Sequence, residues 1–197
     1  DIGMLAAVRT PEEGEALSRE SHDALLAVEN LGKPVVCAMN GLAFGGGNEL
    51  AMACSVRIAP KKVRVFAAQP EPKLGIIPGA GATQRLPRLI GLEKAWELLR
   101  TGKALSSSEA LEVGLIQEEV EGDIVGRAVE MAREIVEGKR KIAPIASGTI
   151  PVPAQLPSVD IGNLSRKVDA IMQEAILRGA TMKLADGLRL ESKLFGD

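Results

Sequence analysis

At 197 residues and 46% hydrophobic content, the chain is long enough for one domain with a sizeable core and too apolar for global disorder. Its 24 basic and 26 acidic residues leave a net charge of −2, and aromatics are 2% with no Tyr, so it has neither the cationic excess nor the stacking platforms of a nucleic-acid binder. No Cys/His cluster has metal-ligand spacing, no apolar run reaches the roughly eighteen residues of a membrane span, and no signal peptide or lipidation motif is visible.

Asp1 to Val8 is short and apolar and reads as a loop entering a helix. Thr10-Pro11-Glu12-Glu13 is a helix start: a Thr cap, Pro at the first position and acids in the first turn. That helix is expected to run to Glu29, with Leu17, Ala24, Leu25, Val28 and Leu31 on its apolar face. The only histidine, His22, lies midway along it and reads as structural or solvated, which leaves little for a Ser-His-Asp or Cys-His mechanism. Pro34 to Met39 is an apolar run between breakers and suits a buried strand. Cys37 and Cys54 sit in apolar stretches and read as reduced core residues of a cytoplasmic protein.

Between them lies N-G-L-A-F-G-G-G-N-E-L-A-M-A-C, from Asn40 to Cys54. Gly45, Gly46 and Gly47 lead into an alanine-rich helix, Asn48 to Ala53, with Glu49 in its first turn. Without a Cβ, these backbones can lie against a ligand, and the first N–H groups of a helix lack partners and carry partial positive charge. Such a start can receive a developing oxyanion. A tight turn with a helix-stabilising Glu is the purely structural reading of the same stretch.

Ser55 to Ala59 alternates like a strand, and Val63, Val65 and Phe66 among Lys61, Lys62 and Arg64 suggest another. Gln69 to Gly81 is dense in Pro and Gly yet apolar, so it is expected to pack or to line a pocket. Pro70 and Pro72 hold Glu71 between them. Thr83 to Ile90 starts a helix expected to be interrupted at Pro87, and Leu92 to Arg100 forms another, stopped at Gly102. Ser106 and Glu109 match a capping box, Leu115 to Val120 is a strand candidate, and Asp123 to Val136 is amphipathic. Lys139 to Gly162, with four prolines, reads as an extended connection, followed by helices over Leu164 to Leu177 and Leu184 to Leu194.

The chemistry-bearing groups are therefore helix-start N–H donors and two glutamates, Glu49 and Glu71, set in unusual turns. Two such acids around one water can act as base and acid, with at least one pKa raised by burial and repulsion. Backbone donors polarise a carbonyl beside them, which suits proton addition or abstraction next to that carbonyl.

The Asn40–Cys54 stretch resembles the signature of the enoyl-CoA hydratase/isomerase (crotonase) family. Q-P-E-P-K-L-G-I-I-P-G-A-G-A-T-Q-R-L resembles its second block at similar spacing, and L-L-R-T-G-K-A-L-S-S-S-E-A-L-E-V-G-L-I its third. The likeness is strong over roughly residues 1–120 and weak beyond. It implies an α/β fold, a spiral of β-β-α turns with C-terminal helices. Residues 1–138 would form the second half of the spiral core, 139–163 a connection, and 164–197 a helical oligomerisation segment. It also implies roles. Gly46 matches the oxyanion-hole glycine, Glu49 the water-activating acid, and Glu71 the proton donor to Cα. Leu42, Gly45, Pro70 and Gly79 match positions lining the acyl pocket. Asp1 and Ile2 resemble the end of an A-D-I motif whose segment supplies the other oxyanion N–H and much of the coenzyme A contact, so half an oxyanion hole is expected here. The implied activity is enoyl-CoA hydration. Double-bond isomerisation, ring-opening hydrolysis of a cyclic acyl-CoA, or a non-catalytic scaffold are the alternatives. No metal is implied, and coenzyme A enters as part of the substrate. The implied partners are an acyl-CoA and further copies of the chain, as a trimer or a dimer of trimers, with no nucleic acid and no membrane.

Overall fold

The computed structural model describes residues 2–197. A short helix, α1 (Ile2–Ala7), replaces the loop expected there. Thr10 then caps α2 (Pro11–Glu29), its hydroxyl accepting the Glu13 N–H. The buried stripe of α2 is Gly14, Ser18, His22 and Leu25; of the expected face only Leu25 is buried, Leu17 and Val28 are half-buried, and Ala24 and Leu31 are exposed. The spacing is that of one helix face, but three of its four members are small or polar, which hides it from a hydrophobicity pattern.

The centre is a spiral of β-β-α turns. β1 (Val36–Ala38) and β2 (Ala43–Phe44) lead into α3 (Gly46–Ala53). β3 (Val56–Pro60) and β4 (Ala67–Ala68) lead through a 3-10 turn (Glu71–Leu74) to α4 (Ala82–Ile90) and α5 (Leu92–Thr101). After α6 (Ser107–Glu112), β5 (Glu118–Val120) precedes α7 (Ile124–Val136). Corresponding strands stack in parallel: β1-β3-β5 in one sheet and β2-β4 in the other. Val36 pairs with Val56, Ala43 with Ala67 and Ile58 with Glu118. Parallel strands joined by helices are covered on both faces, and β3 is accordingly buried from Val56 to Ala59.

Two expectations are corrected. The strand assigned to Val63–Phe66 lies at Ala67–Ala68. Lys62, with φ 62°, turns the chain, and Val63 exchanges hydrogen bonds with Ser107 at the start of α6. Only from Phe66, whose N–H reaches the Leu105 carbonyl at 2.8 Å, does the chain rejoin the sheet. Pro87 does not interrupt α4. It removes one N–H from the helix ladder, and the helix runs on to Ile90.

The connection at 139–163 carries no helix or strand. It is tacked down by Ile150 N–H to the Ala180 carbonyl at 2.8 Å and by the Trp96 indole N–H to the Pro157 carbonyl at 3.2 Å. The last helices, α8 (Arg166–Ala180) and α9 (Leu184–Gly196), pack into the chain's own main core. Met172, Ile176 and Leu194 share that core with Met39, Met52, Phe66 and Leu99. A second cluster places Ile124, Ala128 and Met131 of α7 on Val56, Ile58 and Val120 of the sheet. Each fully buried Leu, Ile, Phe or Met contributes roughly 1.5–3 kcal/mol. Among the described residues, no helix is long and apolar enough to cross a membrane.

Candidate active site

β2 ends at Phe44, and Gly45 then turns the chain with φ 53° and ψ −125°, a conformation outside the regions open to other residues. A Cβ built there would lie 2.6 Å from Oε1 of Glu71. Glycine is thus needed twice at this point, for the backbone angle and for the approach of a carboxylate. α3 starts at once, without a side-chain cap. The Gly46 N–H, first in the helix, has no hydrogen-bond partner among the described residues. One turn on, Glu49 is buried, and its Oε1 accepts the N–H groups of Ala80 (2.9 Å) and Ala82 (3.0 Å). Burial pushes its pKa up to about 8, with the charges of Glu191 and Glu71 adding to the rise and the two N–H groups opposing it.

Glu71 opens the 3-10 turn that the flanking prolines favour, and it too is buried. Its Oε2 has no hydrogen-bond partner among the described residues. Burial raises its pKa to about 7, its own backbone N–H opposing the rise and Glu191 adding to it. Asn48 donates to the Gln69 side-chain oxygen at 2.9 Å. This strut joins the residue before Glu49 to a residue two before Glu71, and so helps set the distance between the two acids.

Gly46, Glu49, Glu71 and Gly79 line one cavity of about 380 Å³. Much of its wall is apolar: Met4, Leu5, Leu17, Ile76, Ile77 and Phe195. Gly45 sits behind Glu71. Leu42 is 67% exposed, and neither it nor Pro70 is part of the cavity wall. Asp1 lies outside the described residues, and Ile2 is the first residue of α1. Among the described residues, no group of three or more His, Cys, Asp or Glu is placed to hold a metal ion.

Sequence reasoning missed the contribution of α9. Phe195 lies against Gly79, and fully buried Glu191 binds the Gly79–Thr83 segment from the side opposite Glu49. A signal was present. Glu191 and Ser192 follow Leu184 and Leu188 at core-facing spacing, as Ser18 and His22 do on α2. Polar residues in the buried slots of two helices mark a polar contact between them.

The assembled features are two carboxyls with raised pKa values, an unpaired helix-start amide and an apolar wall. All of them border the same cavity. The family model described as enoyl-CoA hydratase/isomerase matches residues 4–159, and the chain belongs to that family. Among curated relatives, the fatty acid oxidation complex subunit alpha of Shewanella loihica is 36% identical over 211 residues, covering 100% of this chain and 30% of that protein. The protein of the same name from Shewanella amazonensis is 42% identical over 146 residues, covering 74% of this chain and 20% of that one. A solved enoyl-CoA hydratase from Bacillus anthracis is 36% identical with a TM-score of 0.56, covering 96% of this chain and 63% of its own. Pseudomonas aeruginosa DspI is 28% identical with a TM-score of 0.63, covering 91% and 64%. The chain thus spans less than a third of these curated relatives and less than two thirds of these solved chains. Its membership and its parallel β-β-α spiral agree with a crotonase fold.

Proposed function

We propose that this site adds water across the 2,3-double bond of an enoyl-CoA thioester. The observation that carries the reading is that Glu49, Glu71 and the free N–H of Gly46 meet in one cavity. The thioester carbonyl oxygen accepts the Gly46 N–H, and the helix start stabilises the enolate charge that develops there. One water lies between the carboxyls. The ionised one takes a proton as the water oxygen bonds to Cβ, and the protonated one gives a proton to Cα. Glu49 keeps Oε1 on the Ala80 and Ala82 amides, which leaves Oε2 for the water.

The balance needs one proton on the pair, a condition met between about pH 7 and pH 8. In the free site the higher value belongs to Glu49, the acid whose expected role is base. A shared water can pass the proton between them, so the acid and base assignments belong to the pair. The apolar wall suits a fatty-acyl substrate, in keeping with the fatty acid oxidation named in the relatives. The proposed reaction draws on no metal or redox group, and coenzyme A is part of the substrate. Assembly into trimers belongs to the same reading and is checked by sedimentation.

The test is loss of enoyl absorbance with crotonyl-CoA. Glu49→Gln and Glu71→Gln are each expected to lower kcat by about 10²–10⁴-fold. An isomerase, which the family also includes, would instead keep activity on a 3-enoyl thioester in Glu49→Gln. Binding of coenzyme A with no turnover of either substrate would make the chain a scaffold.

A further inference from the structure

Four successive N–H groups, from Ala80 to Thr83, are shared between two buried carboxylates. Glu49 Oε1 takes Ala80 and Ala82; Glu191 takes Gly81 on Oε1 (2.6 Å) and Thr83 on Oε2 (2.9 Å). Oε2 also accepts the Thr83 hydroxyl at 2.5 Å. Ala82 and Thr83 open α4, where N–H groups have no partner within the helix, so both carboxylates sit at a helix start. Glu191 is in turn held from α2. His22 Nε2 lies 2.9 Å from Oε1, and His22 Nδ1 lies 3.0 Å from the Ser192 hydroxyl. Ser18 donates to the Gly79 carbonyl at 2.6 Å and sits 3.1 Å from Ser192. Every one of these side chains is buried.

We propose that Glu191 is a positioning residue for Glu49: by gripping Gly81 and Thr83 it aims the Ala80 and Ala82 amides at Glu49, and so fixes which oxygen of Glu49 faces the cavity. This rests on the hydratase reading for its kinetic part only. Glu191 does not line the cavity, so it acts through the segment and through its charge. The titratable and charged groups around Glu49 are Glu71 from the 3-10 turn, Glu191 from α9, Glu20 and His22 from α2, and Arg85 of α4. Arg85 is paired with Glu29 and donates to the Ala80 carbonyl at 3.0 Å. Of these, Glu191 and Glu71 raise the Glu49 pKa, Glu191 the more strongly.

Glu191→Gln keeps the shape but removes the charge, and in either orientation its amide faces an N–H donor. Carboxyl-carbon NMR of protein labelled at Glu, with the Glu49 signal assigned by its loss in Glu49→Gln, reads the effect without turnover. The expected result is a Glu49 midpoint below the wild-type value, with kcat on crotonyl-CoA reduced on the order of 10²-fold and KM little changed. An unshifted Glu49 midpoint in a folded variant overturns the proposal. If wild type hydrates nothing while the midpoint moves, the hydratase reading falls and the positioning role stands. A measurement on the unaltered protein covers the case of a variant that does not fold. Hydrogen exchange at Ala80, Gly81, Ala82 and Thr83 is expected to show one common opening free energy. Opening of Ala80 and Ala82 while Gly81 and Thr83 stay closed would mean independent grips and would also overturn it.

Discussion

Three glycines stand in a row at 45–47, and the structure assigns them unequal burdens. Gly45 has φ 53° and ψ −125°, and a Cβ would meet Glu71 Oε1 at 2.6 Å. Gly47 is helical and exposed, with nothing within 4 Å of an added Cβ. In Gly45→Ala the backbone strain alone costs about 1–3 kcal/mol. At roughly 2–4 °C per kcal/mol for a chain of this size, Tm falls by roughly 2–12 °C. The displaced Glu71 carboxylate should lower kcat for crotonyl-CoA hydration on the order of 10²-fold. Gly47→Ala, at the second residue of α3, replaces a glycine by a better helix former, worth at most about 0.5–1 kcal/mol, and should raise Tm by at most roughly 1–4 °C, with activity retained. Calorimetric melting and the absorbance assay, run on both variants, decide the matter. Equal effects of the two substitutions, or a fully active Gly45→Ala protein, would refute the placement of Glu71 against this turn.

The pH dependence follows from the two raised carboxyls. kcat/KM for crotonyl-CoA should be bell-shaped, with its maximum between about pH 7 and pH 8, where the pair holds one proton. Stability moves the other way from the usual acid. Because both folded pKa values exceed the model-compound 4.5, the folded state binds more protons than the unfolded one across that window. The stabilisation is complete below about pH 4.5 and lost as pH rises through about 7 to 8. Glu71→Gln, which cannot ionise, should therefore melt higher than wild type at pH 9, and the gap should close toward pH 5. In Gly79→Ala the new methyl would lie 2.6 Å from the Phe195 ring, an overpacking cost of about 1–3 kcal/mol. Adding Phe195→Leu should recover much of it, and a double-mutant cycle in denaturant measures the coupling. Asp169→Asn breaks the bidentate pair with Arg100 (2.6 and 2.8 Å), both side chains about nine-tenths buried. Leaving that guanidinium unmatched should cost about 3–5 kcal/mol and change the emission of Trp96, whose ring lies 4.5 Å from Arg100.

Where burial is apolar and periodic, the elements could be read from the residues alone. α7 buries Ile124, Ala128 and Met131 as the spacing predicts, and the Ser106–Glu109 capping box is formed. The local parts of the site were legible for the same kind of reason: glycines before a helix and an acid between prolines leave few alternative conformations. What escaped was set by tertiary contacts. β4 lies beyond the predicted strand because Ser107, more than forty residues on, captures Val63. The stripe on α2 was misplaced because its inner face meets a polar patch of α9, and hydrophobicity counts such positions as surface. Cysteine usage was read well at Cys54, which is buried and free, whereas Cys37 is only half-buried at the sheet's outer strand. Family likeness supplied the pairing of Glu49 with Glu71, which no local pattern contains.

Phe195 and Glu191 make the cavity depend on α9. The cavity draws its walls from Met4 and from Phe195, positions near opposite ends of the chain. A nascent chain that has completed the spiral through β5 already holds both glutamates of the pair, yet its pocket is still open and the Gly79–Thr83 segment lacks one of its two anchors. Without α9 the cavity would lose the Phe195 wall and the Gly81 and Thr83 grip of Glu191, so removing that helix should abolish the proposed turnover even where the sheets stay intact.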